Sequence, residues 1–119
     1  MTTTSRLRIG IAGLGRLGRR HAENLARRVP RAELIAACSP IEDELSWARQ
    51  DLGVASLYAD YRELLADARL DAVFLVTPTS LHAEQIVQAL LAGQHVFCEK
   101  PLSLDLADCR RVEDLAAKH

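Results

Sequence analysis

The chain has 119 residues, 49% of them apolar and 26% charged, with a formal net charge of −1. That length suits one domain and is short for two, and the composition is that of a globular protein. The near-neutral balance argues against a nucleic-acid or anionic-membrane footprint, and no apolar run approaches membrane-spanning length.

In chain order, "LRIGIA" (7–12) is a short apolar run bounded by turn residues, and it predicts a first strand. Residues 16–28 follow as a helix, with Leu17, His21 and Leu25 at i, i+4 and i+8 on one face. Around it, Arg19, Arg20, Arg27, Arg28 and Arg31 read as a solvated basic face. "ELIAAC" (33–38) predicts a second strand, and residues 42–52 a second helix with Leu45, Ala48 and Leu52 inward. "ASLY" (55–58) is a weaker third strand, before a short helix over 61–68. "DAVFLV" (71–76) is the fourth strand. Residues 80–92 form the next helix, with Thr79 or Ser80 as its cap and Gly93 as its stop. "HVFC" (95–98) is the fifth strand, and "SLDLADCRRVEDLAAKH" the last helix.

Short, continuously apolar strands alternating with helices specify an α/β fold, a doubly wound parallel sheet with helices on both faces. The expected strand order is 3-2-1-4-5, in a single domain over 1–119 without linker or repeat. Ligands of such sheets bind beyond the carboxyl ends of the strands.

At the first of those ends lies "GLGRLG", with Gly13, Gly15 and Gly18 spaced G-x-G-x-x-G between a strand and a helix. This is the context of a dinucleotide fingerprint: a tight turn, a close backbone approach to a pyrophosphate, and a close helix–strand packing. The helix start supplies N–H groups and partial positive charge to the phosphates. The loop's cofactor set is Gly13, Gly15, Arg16, Leu17 and Gly18, with Arg16 facing either a 2'-phosphate or an adenine ring. The second strand ends in Ser39, where an acid for the adenosine ribose is expected. Serine removes the charge that repels a 2'-phosphate, yet no basic residue follows until Arg49. The cofactor is therefore NAD or NADP, leaning to NAD.

The fourth strand ends in Thr77 and Pro78, whose backbone and hydroxyl line the cofactor cleft, with His82 in the next helix's first turn. The fifth ends in Glu99, Lys100 and Pro101, which read on spacing alone either as a surface Glu-Lys pair or as a lysine placed to bond a substrate hydroxyl during hydride transfer. The three cysteines, Cys38, Cys98 and Cys109, are odd in number and lack metal-ligand spacing, so no metal site is expected. Buried cysteines and the lack of a signal-peptide core imply a reducing, cytoplasmic setting.

The segments "GIAGLGRLGRRHAENL", "YADYRELLAD" and "LDAVFLVTPTSLHAEQIVQALLAGQHVFCEKPLSLDLAD" resemble the amino-terminal domain of the glucose-fructose oxidoreductase / inositol dehydrogenase / rhizopine-catabolism family. T-P-x-x-x-H and E-K-P are its most specific words, and the wording is most like the inositol 2-dehydrogenase branch. The resemblance implies pyrophosphate at Gly13, Gly15 and Gly18, adenosine ribose at Ser39, and the nicotinamide half along Thr77, Pro78 and His82. It makes Lys100 the candidate catalytic residue, beside Glu99, acting at both substrate and cofactor. The implied partners are a dinucleotide and a small polyol or sugar. The family continues into a second domain with an Asp-x-x-x-His pair, whose histidine takes the proton. This chain is accordingly expected to be the cofactor half of the enzyme, inactive alone. The alternative is a stand-alone nucleotide-binding or redox-sensing module. A homo-oligomer is expected, because "HVFC" forms a sheet edge.

Overall fold

The computed structural model describes residues 6–98, together with positions 114, 116 and 117, which are helical and exposed. Glu99, Lys100, Pro101, Cys109 and most of the expected last helix lie outside the described residues. The elements are β1 (Leu7–Ala12), α1 (Arg16–Arg27), β2 (Ala32–Cys38), α2 (Glu42–Leu52) and β3 (Ser56–Tyr58), then α3 (Tyr61–Leu65), β4 (Ala72–Leu75), α4 (Thr79–Leu91) and β5 (His95–Cys98). All four pairings are parallel, and the sheet order is β3-β2-β1-β4-β5, as the alternation of elements predicts.

The strands read as apolar runs because they are covered on both faces. Ile11 and Ala37 turn to one side, where they meet Ala22 of α1, Ala48 of α2 and Val54. Ala12, Val73 and Leu75 turn to the other, against Leu64 of α3 and Ile86, Val87 and Ala89 of α4. The sheet thus sits between α1/α2 and α3/α4, with its carboxyl edge open at one end.

Several local expectations change. The inward face of α1 is Gly18, Ala22 and Leu25, while Leu17 is 44% exposed. The small residues Gly18 and Ala22 let this helix lie close to the sheet, which rotates Leu17 outward. His21 is half-buried, near the stacked rings of Phe74 and Phe97. The basic face is only partly solvated: the Arg19 guanidinium lies 5.1 Å over the Trp47 ring, and Arg27 donates to the Asp51 carbonyl at 2.8 Å. Both tie α1 to α2.

Helix α3 stops three residues short of 68 because Asp67 turns its carboxylate onto the Arg69 N–H at 3.1 Å, which favours a turn over a further helical residue. Its start is capped by Asp60, which accepts from the Arg62 N–H at 2.9 Å. Helix α4 begins at Thr79 with Pro78 as N-cap and no side-chain cap, so neither Thr79 nor Ser80 has the capping role expected of it. Gly93 does follow its end, with φ of 80°, a conformation that costs glycine little. Among the described residues no helix is long and apolar enough to cross a membrane.

Candidate functional site

The carboxyl edge is built by hydrogen bonds between strand ends. The Gly13 N–H donates to the Cys38 carbonyl at 3.0 Å, Val76 N–H to Ala12 at 2.9 Å, and Ser39 N–H to Tyr58 at 3.0 Å. These hold the turns after β1, β2 and β4 around one cavity of about 870 Å³. The volume is within the range of small-molecule sites.

Gly13 and Gly15 line its floor and Gly18 does not, each glycine being placed for its own reason. Gly13 has φ of 99°, and a Cβ there would lie 2.6 Å from the Val76 carbonyl carbon. A Cβ on Gly18 would lie 2.7 Å from the Gly13 carbonyl carbon, so the start of α1 can rest on its own loop only without a side chain. Gly15 differs: a Cβ would have nothing within 4 Å and would occupy open space at the cavity. Gly15 is also the N-cap of α1, and no side chain caps that end. The first N–H groups of the helix, from Arg16 onward, are therefore available to an anion. The Arg16 and Leu17 side chains line a separate shallow cleft with Arg20.

On the β2 side, Ser39 is 1% exposed. Its hydroxyl donates to Glu44 Oε1 at 2.6 Å and accepts the Ile41 N–H at 3.0 Å. Both Ser39 and Glu44 line the cavity. Cys38 beside them has its thiol pushed up to about 11 by burial, with the Asp60 and Glu63 carboxylates adding to the effect. It is an apolar wall near neutral pH and not a nucleophile.

On the β4 side, Thr77 and Pro78 line the cavity. The Thr77 hydroxyl donates to Gln85 Oε1, and the Tyr61 hydroxyl donates to the Gln85 carbonyl at 2.7 Å. Burial raises the Tyr61 phenol above its ordinary value, so it remains a donor. His82 is 2% exposed and does not reach the cavity; its Nε2–H donates to the Thr77 carbonyl. It holds the turn that carries Thr77 and Pro78.

The structure thus brings Gly13, Gly15, Ser39, Thr77 and Pro78 to one cavity, and sets His82 behind it. Glu44, Asp60, Tyr61 and Gln85 also line it and were not singled out from the sequence. The only trace of Glu44 was an acid in the first turn of a helix after β2, a common solvated position.

A family model for Gfo/Idh/MocA, described as an oxidoreductase family with an NAD-binding Rossmann fold, matches residues 7–119. The chain is 45% identical over 106 residues to the myo-inositol 2-dehydrogenase of Thermotoga maritima, covering 89% of this chain and 31% of that protein. It is 38% identical to the scyllo-inositol 2-dehydrogenase (NAD(+)) of Bacillus subtilis, over 91% of this chain and 32% of that one. The crystal structure of scyllo-inositol dehydrogenase from Lactobacillus casei with bound NAD(H) and scyllo-inositol superposes with a TM-score of 0.94 at 43% identity. That superposition covers 97% of this chain and 34% of the other. The chain spans about a third of the length of the curated relatives it matches. With that match and the sheet order β3-β2-β1-β4-β5, the chain belongs to the Gfo/Idh/MocA family of oxidoreductases and has its NAD-binding Rossmann fold.

Proposed function

We propose that this chain is the dinucleotide-binding part of an oxidoreductase acting on a ring carbinol of an inositol-like polyol. The observation that carries the reading is the glycine floor at the uncapped start of α1, open to the cavity at Gly15. Gly13 and Gly15 and the first-turn N–H groups of Arg16, Leu17 and Gly18 would hold the pyrophosphate. The adenosine end would lie by Ser39, and the nicotinamide end by Thr77 and Pro78, whose turn His82 keeps in place. When bound, the nicotinamide supplies the hydride acceptor. The protein's part is to orient it and exclude water. Lys100, with Glu99, keeps its proposed role at substrate and cofactor on the family resemblance. The polyol assignment is supported by the inositol dehydrogenases among the relatives. The buried thiol of Cys38, outside any disulfide, supports a reducing, cytoplasmic setting. Self-association through the β5 edge completes the reading.

Calorimetric titration with NAD, NADH, NADP and NADPH tests it. Because a Cβ at Gly15 would enter open space at the cavity, Gly15→Val should keep the fold and abolish binding. Unchanged affinity would remove the pyrophosphate from this loop. The 119 residues alone should bind dinucleotide without oxidising myo- or scyllo-inositol at an appreciable rate. Turnover of about 1–10³ per second, the ordinary enzyme range, would contradict that and make this stretch sufficient for chemistry.

A further inference from the structure

An acid at the end of the second strand is how dinucleotide folds usually read the adenosine ribose, and here that position is Ser39. Its side chain is not available for the task. Its one O–H is directed at Glu44 Oε1 at 2.6 Å, and the hydroxyl oxygen also accepts the Ile41 N–H. What the serine does instead is draw a carboxylate back from the first turn of α2 to the cavity wall. Glu44 Oε2 has no hydrogen-bond partner among the described residues, so it is left to accept from a ligand.

The charges of the cavity point the same way. Its described lining has two ionisable carboxylates, Glu44 and Asp60, and no lysine or arginine. The start of α2 would favour an anion by its dipole, but Glu42, Asp43 and Glu44 already fill that first turn with negative charge. The basic residue of α2, Arg49, is in its last turn, on the order of 7 Å farther along the axis at about 1.5 Å per residue. Across the cavity the Asp60 carboxylate is engaged in capping α3. A 2'-phosphate would have to sit against carboxylates with no cation among the described lining residues.

We propose that Glu44, held by Ser39, reads the adenosine ribose, accepting from its 2'-hydroxyl and excluding a 2'-phosphate, so that the site selects NAD over NADP. The acid has moved from the strand end to the next helix, and the serine left in its place is the residue that positions it. This rests on dinucleotide binding at the glycine loop as proposed above.

The test measures dissociation constants of the 119-residue chain for NAD and NADP, and for the fragments AMP and adenosine 2',5'-bisphosphate, which probe the ribose end without the nicotinamide. The wild type should prefer NAD and AMP. Glu44→Gln keeps the size and the Ser39 contact but removes the charge. It should shrink the preference by about tenfold or more, chiefly by tightening NADP and the bisphosphate; each tenfold corresponds to about 1.4 kcal/mol. Ser39→Ala should relax selectivity in the same direction, a readout that a merely structural serine would not move. If the wild type prefers NADP, or if Glu44→Gln changes the preference by less than threefold, Glu44 does not read the ribose. Thermal melts establish that each variant is folded, and the fragment pair repeats the comparison with Glu44→Ala, which also removes the charge, if the glutamine variant is not. Absence of all dinucleotide binding in the wild type is the distinct result that would overturn the underlying function.

Discussion

Asp67 shows how one side chain ends a helix and fastens a strand. Its carboxylate accepts from Arg69 Nε at 2.9 Å, from Arg69 Nη2 at 2.6 Å and from the Tyr58 hydroxyl at 2.9 Å. The Arg69 guanidinium, helped by the Arg69 backbone N–H and the Tyr58 hydroxyl, holds Asp67 well below the usual carboxylate range. Tyr58 is raised in turn, first by its hydrogen bond to Asp67. Since the folded-state value is depressed, the stabilisation is complete above the unfolded value of about 3.9 and is lost as the pH falls through the folded one. Arg69 is 53% exposed and solvent weakens the pair, so Asp67→Asn should cost only about 1 kcal/mol at neutral pH. Urea titrations should find that gap constant above about pH 5 and closing below about pH 3. A gap independent of pH would mean that the charge of Asp67 contributes nothing.

At the scale of elements, the decisive contact is between α1 and the loop that precedes it. Leu17, His21 and Leu25 have helical spacing, yet the buried residues are Gly18, Ala22 and Leu25. The sequence pattern ranks side chains by hydrophobicity, whereas the packing here is limited by how near the helix axis must come to Gly13 and Val76. Gly18→Ala should therefore destabilise the domain by about 2–3 kcal/mol, the cost of overpacking a contact with no slack. Gly15→Ala, one turn earlier and facing open space, should cost at most about 1 kcal/mol through its weaker N-cap. Equal losses at the two positions in denaturant unfolding would refute this division between a packing glycine and a ligand glycine.

For the whole molecule the open question is what meets the sheet edge. Among the described strands β5 is terminal, beyond β4, and edge strands invite pairing with another chain. Phe97 in that strand is 46% exposed, with its ring stacked on Phe74 at 4.4 Å. Val96 packs against the core, so a charge there would damage the fold before it reported on association. The informative variant is Phe97→Asp. Sedimentation equilibrium at micromolar concentration should find the wild type self-associated and the variant shifted toward monomer. A monomeric wild type, or a dimer indifferent to the change, would place any contact away from β5.

The sequence by itself determined the succession of strands and helices, their parallel sheet and the glycine loop at the first strand–helix joint. Those are local properties: apolar runs of strand length, helical spacing, and glycines three and two residues apart leave few alternatives. It also located the end of β2 and the turn after β4 as cavity walls, since a parallel sheet brings all strand ends to one edge. The tertiary structure alone decided what those walls present. Ser39 follows β2 in the chain, but only the placement of α2 over the strand end turns its hydroxyl to Glu44. His82 sits in a first turn that looks open in sequence, and only the closure of α4 against β4 buries it on the Thr77 carbonyl. The shared reason is that side-chain direction at a sheet edge follows from the packing of elements distant in sequence, while the backbone order of the sheet is already written in their alternation.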